Sequence, residues 1–144
     1  MDAWRWAAPM FALTTLFALR VAGQAVQLYD PQPWLPPFGA WQGSSLAYAI
    51  LLPAQLAILA AMGWITLNVR ARSWIPRRHV ARAFAIAGSL YMSGAIGRIV
   101  LGLTLRAPSP WFTAWIPAAF HIVLAAFVLA CAGYHSAGTW RRAP

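Results

Sequence analysis

The chain has 144 residues, of which 61% are hydrophobic and only 9% are charged, with a mean hydropathy of +0.60 and a formal net charge of +9. Charged residues this scarce cannot cover the surface of a soluble domain, so the composition excludes an ordinary soluble globular protein and indicates an integral membrane protein. The single cysteine, Cys131, excludes an internal disulfide and a paired-thiol redox motif, and its expected role is that of a small apolar residue.

Four long apolar segments divide the chain. The hydrocarbon core of a bilayer is crossed by about 20 helical residues, and four segments reach that length: 6–27, 44–67, 82–105 and 111–134. They are continuous rather than alternating, which favours helices over barrel strands. The remaining loops and tails are too short for a further domain. The sequence therefore predicts one all-α domain, residues 1–144, with four transmembrane helices in an antiparallel bundle.

The first span carries a polar stripe. Arg20, Gln24 and Gln27 are spaced at i, i+4 and i+7, which places them on one helical face. Ionisable groups inside a span are costly and usually face the protein interior or a partner rather than lipid. We therefore expect this stripe to face other helices.

The loop after the first span, LYDPQPWLPPFGAWQG, holds four prolines, which forbid a continuous helix. It is interpreted as a rigid interfacial turn, or as a lid over a cavity that opens on this side. The string PQPWLPP with the following Trp41 resembles the first loop of translocator proteins, another small, tryptophan-rich helical membrane family. The resemblance covers only this stretch, and the chain has four predicted spans rather than five, so no family is assigned. Asp30 is the only acid placed to pair with intramembrane arginines from this side.

The later spans each carry polar residues on one face. Tyr48 and Gln55 lie seven residues apart in the second span, Tyr91 and Arg98 lie seven apart in the third, and His121 lies within the fourth. At 1.5 Å per residue, Arg20 and Arg98 lie roughly 10 Å below the outer boundary. The sequence thus predicts an outward-opening polar pocket walled by all four helices. Its candidate ligand-binding residues are Arg20, Gln24, Asp30, Tyr48, Gln55, Tyr91, Arg98 and His121.

Helix packing has signals of its own. Ser89, Ser93 and Gly97 form a ridge of small residues on the third span, and such ridges let helix backbones approach closely in lipid. The third span is therefore expected to be central. Pro53 and Pro117 are expected to kink the second and fourth spans.

The loop between the second and third spans contains five arginines around Trp74. Their first interpretation is that they only set topology; the alternative is that they bind anionic headgroups, each contributing about 1 kcal/mol near an anionic leaflet. The basic pI of about 11.6 does not indicate nucleic-acid binding, because the charges lie against the membrane with no folded module behind them.

The distribution of arginine predicts the orientation. Eight of the eleven arginines lie on one side of the span pattern, Arg106 lies on the other, and Arg20 and Arg98 lie inside. Because basic loops stay in the cytoplasm, both termini should be cytoplasmic. All nine tryptophans lie near span ends, where the indole is best accommodated. A lysine-free, alanine-rich composition is consistent with a GC-rich bacterial genome, so the expected location is the bacterial inner (plasma) membrane.

Three interpretations remain open for Arg20 and Arg98. They reach outward to the headgroups, they pair with acids of a partner subunit, or they bind an anionic or carbonyl-bearing ligand. His121 is expected to bond to a neighbouring side chain, because it has no second histidine at its depth. His79 and His135 do lie at matching depths, which allows a haem b site between them as a weaker alternative; two histidines without carboxylates make a poor zinc site.

No catalytic motif accompanies this pattern, since the spans contain no acid to support general acid–base chemistry. The sequence favours a small non-catalytic membrane protein, an accessory or anchoring subunit with a pocket for a lipid or quinone-like molecule. Its partners would be membrane lipids and either other membrane subunits or further copies of itself. The first alternative is a small, oligomeric transporter or channel for an anionic or amphipathic solute. The second is a haem-binding redox anchor.

Overall fold

A computed structural model describes residues 3–43, 46–104 and 114–140. These residues form five helices and no strand. The helices are α1 (Trp4–Tyr29), α2 (Phe38–Trp41), α3 (Tyr48–Arg70), α4 (Arg78–Thr104) and α5 (Trp115–Trp140). All except the short α2 are long and apolar enough to cross a membrane. The prediction of an all-helical chain with four potential membrane spans is confirmed, and each long helix overlaps its predicted segment.

The four long helices pack side by side in the order α3, α1, α5, α4. Neighbours run antiparallel: Thr14 of α1 meets Thr66 of α3, and Trp6 of α1 packs on Gly133 of α5. In the described part of the chain, α3 and α4 are not among the closely packed pairs. The arrangement is therefore a row with α1 and α5 in the middle, and α3 and α4 flank it.

The prediction that the third span is central is wrong, because α4 stands at one end of the row. The ridge of Ser89, Ser93 and Gly97 does not form the contact with α5, since both serines are exposed and a Cβ on Gly97 would meet nothing within 4 Å. A Cβ on Gly88 would instead lie 2.8 Å from the Leu129 side chain. The small residues of α4 that are buried recur every seven positions, at Ala81, Gly88 and Ala95. They let the backbones of α4 and α5 approach closely.

The prolines interrupt the helices less than expected. Pro117 lies in the first turn of α5, where no intrahelical acceptor is lost because the first amides of a helix have none. The expected kink at this position therefore has no cause. The carbonyl four residues before Pro117 belongs to Thr113, which lies outside the described residues. Pro53 does lie inside α3, beyond its first turn.

An apolar core fills the contact between the two middle helices and α3. Met10 and Phe17 of α1 pack with Met62 of α3 and with Phe127 and Cys131 of α5. Cys131 is 1% exposed, in agreement with its expected role as a small apolar core residue. This core fixes the relative positions of α1, α3 and α5, which carry five of the predicted site residues.

All described arginines except Arg20 and Arg98 lie at one end of the row of helices. This end is called the basic end. The Arg70 guanidinium lies 5.7 Å from the Trp4 ring centroid, and the Arg77 amide bonds to His135. The beginnings of α1 and α4 and the ends of α3 and α5 therefore meet there. The arginines at the basic end are Arg5, Arg70, Arg72, Arg77, Arg78 and Arg82. Arg106, Arg141 and Arg142 lie outside the described residues.

Candidate functional site

The connection between α1 and α3 folds back onto the helices. The Trp41 ring is buried, and its Nε1 donates a 2.9 Å hydrogen bond to the Pro36 carbonyl. A Cβ on Gly23 would lie 2.9 Å from this ring, so the glycine permits the close approach. Arg20 Nη2 donates a 3.0 Å hydrogen bond to the Trp41 carbonyl. Arg20 thus holds the loop against α1 at the end opposite the basic end.

A partly open cavity of about 270 Å³ lies beside this loop. Residues from both flanking helices, α3 and α4, and from both middle helices, α1 and α5, line it. Because α3 and α4 stand at the two ends of the row, the cavity is a groove over α1 and α5 that these two helices flank. Its lining consists of Phe17, Arg20, Gly43, Leu46, Leu51, Gln55, Ile58, Tyr91, Pro117, Phe120, His121 and Leu124. This groove is called the polar groove below.

Each long helix contributes one polar side chain to the polar groove. Arg20 comes from α1, Gln55 from α3, Tyr91 from α4 and His121 from α5. The four residues were all singled out in the sequence, and they lie far apart along the chain. The remaining lining is mainly aliphatic and aromatic, as is common for sites that bind small amphipathic molecules.

Tyr91 and His121 form a close pair across the contact between α4 and α5. The Tyr91 hydroxyl and His121 Nδ1 are 2.6 Å apart, and the two rings meet edge to face at 5.7 Å. His121 therefore bonds to a neighbouring side chain, as expected from the sequence. The second ring nitrogen, Nε2, can donate or accept a further hydrogen bond, depending on the tautomer.

Gln24 and Gln55 form an amide pair between α1 and α3. Gln55 Nε2 donates to Gln24 Oε1 at 3.3 Å. Both side chains are buried, and Gln24 Nε2 and Gln55 Oε1 have no hydrogen-bond partner in the described part of the chain. One donor and one acceptor are thus buried and unused beside the polar groove. A buried polar group without a partner typically costs about 1–3 kcal/mol.

The two buried arginines lie near the same site. Arg20 has five N–H donors, and the bond to the Trp41 carbonyl is its only hydrogen bond in the described part of the chain. Arg98 is also buried, and its Nη2 lies 3.2 Å from the position that a Cβ on Gly43 would take. Both guanidinium groups are within electrostatic range of His121. The groove is therefore a region of positive potential.

Besides Arg98, three of the predicted residues stand apart from the cavity wall. Gln24 lies behind Gln55, and Tyr48 packs edge to face on Phe38 at 5.4 Å while its buried hydroxyl has no partner among the described residues. Asp30 is exposed and accepts a 2.9 Å hydrogen bond from Gln32. Asp30, the only acid that the sequence places to pair with the buried arginines from this side, therefore bonds to Gln32 instead.

Sequence reasoning missed two groups that shape the site. The acceptor for Arg20 is a backbone carbonyl, that of Trp41, and backbone acceptors leave no residue-specific signal. A Cβ on Gly43 would lie 2.5 Å from the Pro117 ring, so only glycine fits there without displacing the loop. Glycine directly after a proline–tryptophan loop was the available signal, but it has many meanings in a loop.

The histidine pair considered for haem is not arranged for it. His79 is exposed, whereas His135 is 1% exposed and is surrounded by the Trp74, Phe84 and Tyr134 rings. His135 Nδ1 accepts a 3.1 Å hydrogen bond from the Arg77 amide, so in the neutral ring Nε2 carries the proton. Neither nitrogen then offers a free lone pair to iron. Among the described residues, no cluster of three potential metal ligands occurs.

Comparisons with protein-family models, curated proteins and solved structures found no match to this chain. Function is therefore inferred from the residues and their geometry alone.

Proposed function

We propose that the protein is a non-catalytic membrane subunit whose polar groove binds one amphipathic lipid or quinone-like molecule. The carrying observation is that Arg20, Gln55, Tyr91 and His121, one residue from each long helix, line a single cavity. The head of such a molecule would carry a carbonyl or phosphate oxygen to accept from Arg20 and a hydroxyl to donate to the unused Gln55 Oε1. Its apolar tail would lie against the aliphatic wall.

The charge of the groove favours this class of ligand. Two guanidinium groups are buried near the groove, and the one carboxylate that the structure describes, that of Asp30, is exposed and bonded to Gln32; this favours an acceptor-rich or anionic head over a cation. The position of the groove within potential membrane spans favours a molecule that arrives from the lipid phase. A histidine–tyrosine pair is present, but in the described part of the chain no carboxylate is near it to orient the histidine as a general base.

In this account the protein lies in a bacterial inner membrane with both termini cytoplasmic, and it assembles with other membrane subunits or with itself. The exposed apolar faces of α3 and α4 are available for lipid or for such partners. A small transporter or channel for an anionic solute is the alternative, favoured by the same positive groove. Reconstitution in liposomes separates the two: a chain that purifies alone, without a ligand, and conducts anions would contradict the subunit proposal.

The binding proposal is tested by identifying what the protein retains. The full chain is purified in a mild detergent, extracted with organic solvent, and analysed by mass spectrometry beside the bulk membrane lipids. We expect one carbonyl- or phosphate-bearing amphiphile to be enriched over its share in the membrane. An extract with the composition of the bulk membrane would contradict the proposal.

A pair of hydroxyl deletions localises the retained molecule. Tyr91→Phe removes a group that lines the groove and is expected to lower retention by about tenfold if the hydroxyl or its histidine partner contacts the ligand. Tyr29→Phe removes the same atom at a residue that is 76% exposed and outside the groove, so retention should stay at the wild-type level. Equal retention by both variants would contradict binding beside Tyr91.

A further inference from the structure

A second site lies at the basic end, at the opposite end of α4 and α5 from the polar groove. A cavity of about 270 Å³ is lined there by Ser73, Trp74, Ile75, Arg77, Val80 and His135. The Tyr134 hydroxyl donates to the Trp74 carbonyl, which ties the loop before α4 to α5. This cavity is named the basic-end cavity, and the proposed function makes no use of it.

The His135 ring is held in one tautomer. The Arg77 backbone N–H donates to Nδ1 at 3.1 Å, so the proton of the neutral ring sits on Nε2. The residue is 1% exposed, and Nε2 has no hydrogen-bond partner in the described part of the chain. A buried N–H donor therefore lacks an acceptor beside the cavity. Such a group is expected to find an acceptor from outside the chain.

The beginning of α4 adds further donors at the same place. The Arg77 carbonyl accepts the first helical hydrogen bond, from the Ala81 amide, so Arg77 occupies the capping position. Capping residues usually supply a side-chain acceptor to the next free amides, whereas arginine has only donors. The first amides of α4, including that of Val80 in the cavity wall, therefore receive no cap from Arg77. The start of a helix with free amides favours an anion.

Among the described residues, the charged side chains near the basic-end cavity are all arginines. The segment from Asn68 to Arg82 contains five arginines and no acid, and the one carboxylate described, that of Asp30, lies in the loop at the other end of α1. The Arg77 side chain is exposed and borders the cavity. This positive charge favours an anion over a neutral group as the acceptor from outside the described residues.

We propose that the basic-end cavity binds one phosphoryl group, through the His135 Nε2–H, the Arg77 guanidinium and the first amides of α4. A phosphate oxygen accepts from all three kinds of donor and would satisfy the buried histidine while it caps the helix. The group belongs either to an anionic phospholipid or to a soluble phosphate.

The test is a binding titration by native mass spectrometry on the detergent-purified full chain. Phosphatidylglycerol and phosphatidylcholine with the same acyl chains are compared, because only the first carries a net negative charge. Arg77→Gln is the test variant. Arg82→Gln is its control, since Arg82 is an exposed arginine on the same helix that does not line the cavity.

We expect phosphatidylglycerol to bind the wild type more tightly than phosphatidylcholine does, and Arg77→Gln to weaken it by about tenfold. Arg82→Gln should leave the affinity nearly unchanged. Competition by inorganic phosphate at millimolar concentration would identify a soluble anion as the ligand, whereas its failure to compete would identify the lipid. Equal binding of both lipids without phosphate competition, or equal weakening by both variants, would overturn the proposal.

A spectroscopic measurement on the wild type reports on His135 directly. Nitrogen-15 NMR of the wild type should show a histidine with its proton on Nε2, assigned by its disappearance in His135→Phe. Added phosphatidylglycerol or phosphate should shift this Nε2–H resonance downfield, because the donor gains an acceptor. A proton found on Nδ1, or an Nε2–H resonance that neither ligand moves, would overturn the proposal.

Discussion

The Gln24–Gln55 amide pair between α1 and α3 leaves two buried polar atoms without partners and should therefore lower the stability of the protein. Replacing Gln55 by methionine keeps the length of the side chain and removes its polar atoms. Gln24, which is 0% exposed, would then be buried with no partner for its carbonyl as well as for its Nε2. A newly unsatisfied buried group costs about 1–3 kcal/mol, and removing Gln55 Oε1, which already lacks a partner, returns a similar amount. Gln55→Met should therefore lower the free energy of unfolding by about the lost hydrogen bond, roughly 0.6 kcal/mol.

The double variant Gln24→Met/Gln55→Met is expected to behave in the opposite way. It removes one 3.3 Å hydrogen bond, which is worth about 0.6 kcal/mol inside a membrane. It also removes two buried polar atoms that have no partner, Gln24 Nε2 and Gln55 Oε1, each costing about 1–3 kcal/mol. The double variant should therefore unfold at a higher free energy than the wild type by about 1 kcal/mol or more, and it should lose the retained molecule.

The assay is unfolding by sodium dodecyl sulfate in bicelles after removal of lipid-soluble ligands, followed by circular dichroism. Wild type, both single variants and the double variant form a complete thermodynamic cycle. A double variant that is less stable than either single variant would refute this reasoning, because the pair would then be a structural contact and not an unsatisfied site. A double variant that is stabilised but still retains the molecule would show that the two amides do not contribute to binding.

Other changes test the loop, the helix row and the unpaired acid. Gly43→Ala would place a Cβ 2.5 Å from the proline ring of α5 and should lower both stability, by about 1–3 kcal/mol, and retention; Gly39→Ala meets nothing within 4 Å and should change neither. Gly88→Ala should destabilise the protein by a similar amount in the bicelle assay, whereas Gly94→Ala, which also meets nothing within 4 Å, should not; the reverse order would contradict the row. Asp30→Asn should change the unfolding free energy by less than about 0.5 kcal/mol, and a larger loss would indicate an ion pair.

The long apolar runs and the polar residues within them made the four helices and the four polar side chains of the polar groove predictable. Uninterrupted apolar runs define a membrane helix by length alone. Charged or amide side chains within such runs face the protein because lipid excludes them. Arg20, Gln55, Tyr91 and His121 could therefore be assigned to one interior before any contact was known, and they line one cavity.

The order of the helices was not predictable in the same way. Helix α4 has two faces with small residues, one that includes Ser89 and one that includes Gly88. The sequence does not indicate which of these faces contacts α5. Serine hydroxyls can form hydrogen bonds within their own helix. The ridge of serines therefore does not need to pack against another helix. The place of Asp30 depended on a loop whose course is set by the Trp41 contacts with Pro36 and Arg20, which no periodic pattern encodes.

The central claim, that a single amphipathic molecule occupies the polar groove, is tested most directly by photocrosslinking in the membrane. A benzoylphenylalanine is placed at Phe120, which lines the groove, and in a second variant at Phe11, which is 64% exposed on α1 and does not line it. After irradiation of cells, intact-protein mass spectrometry of the Phe120 variant should give one dominant adduct, and the Phe11 variant should give the mixed lipids of the membrane. The same lipid mixture at both positions, or no adduct at Phe120, would contradict the account.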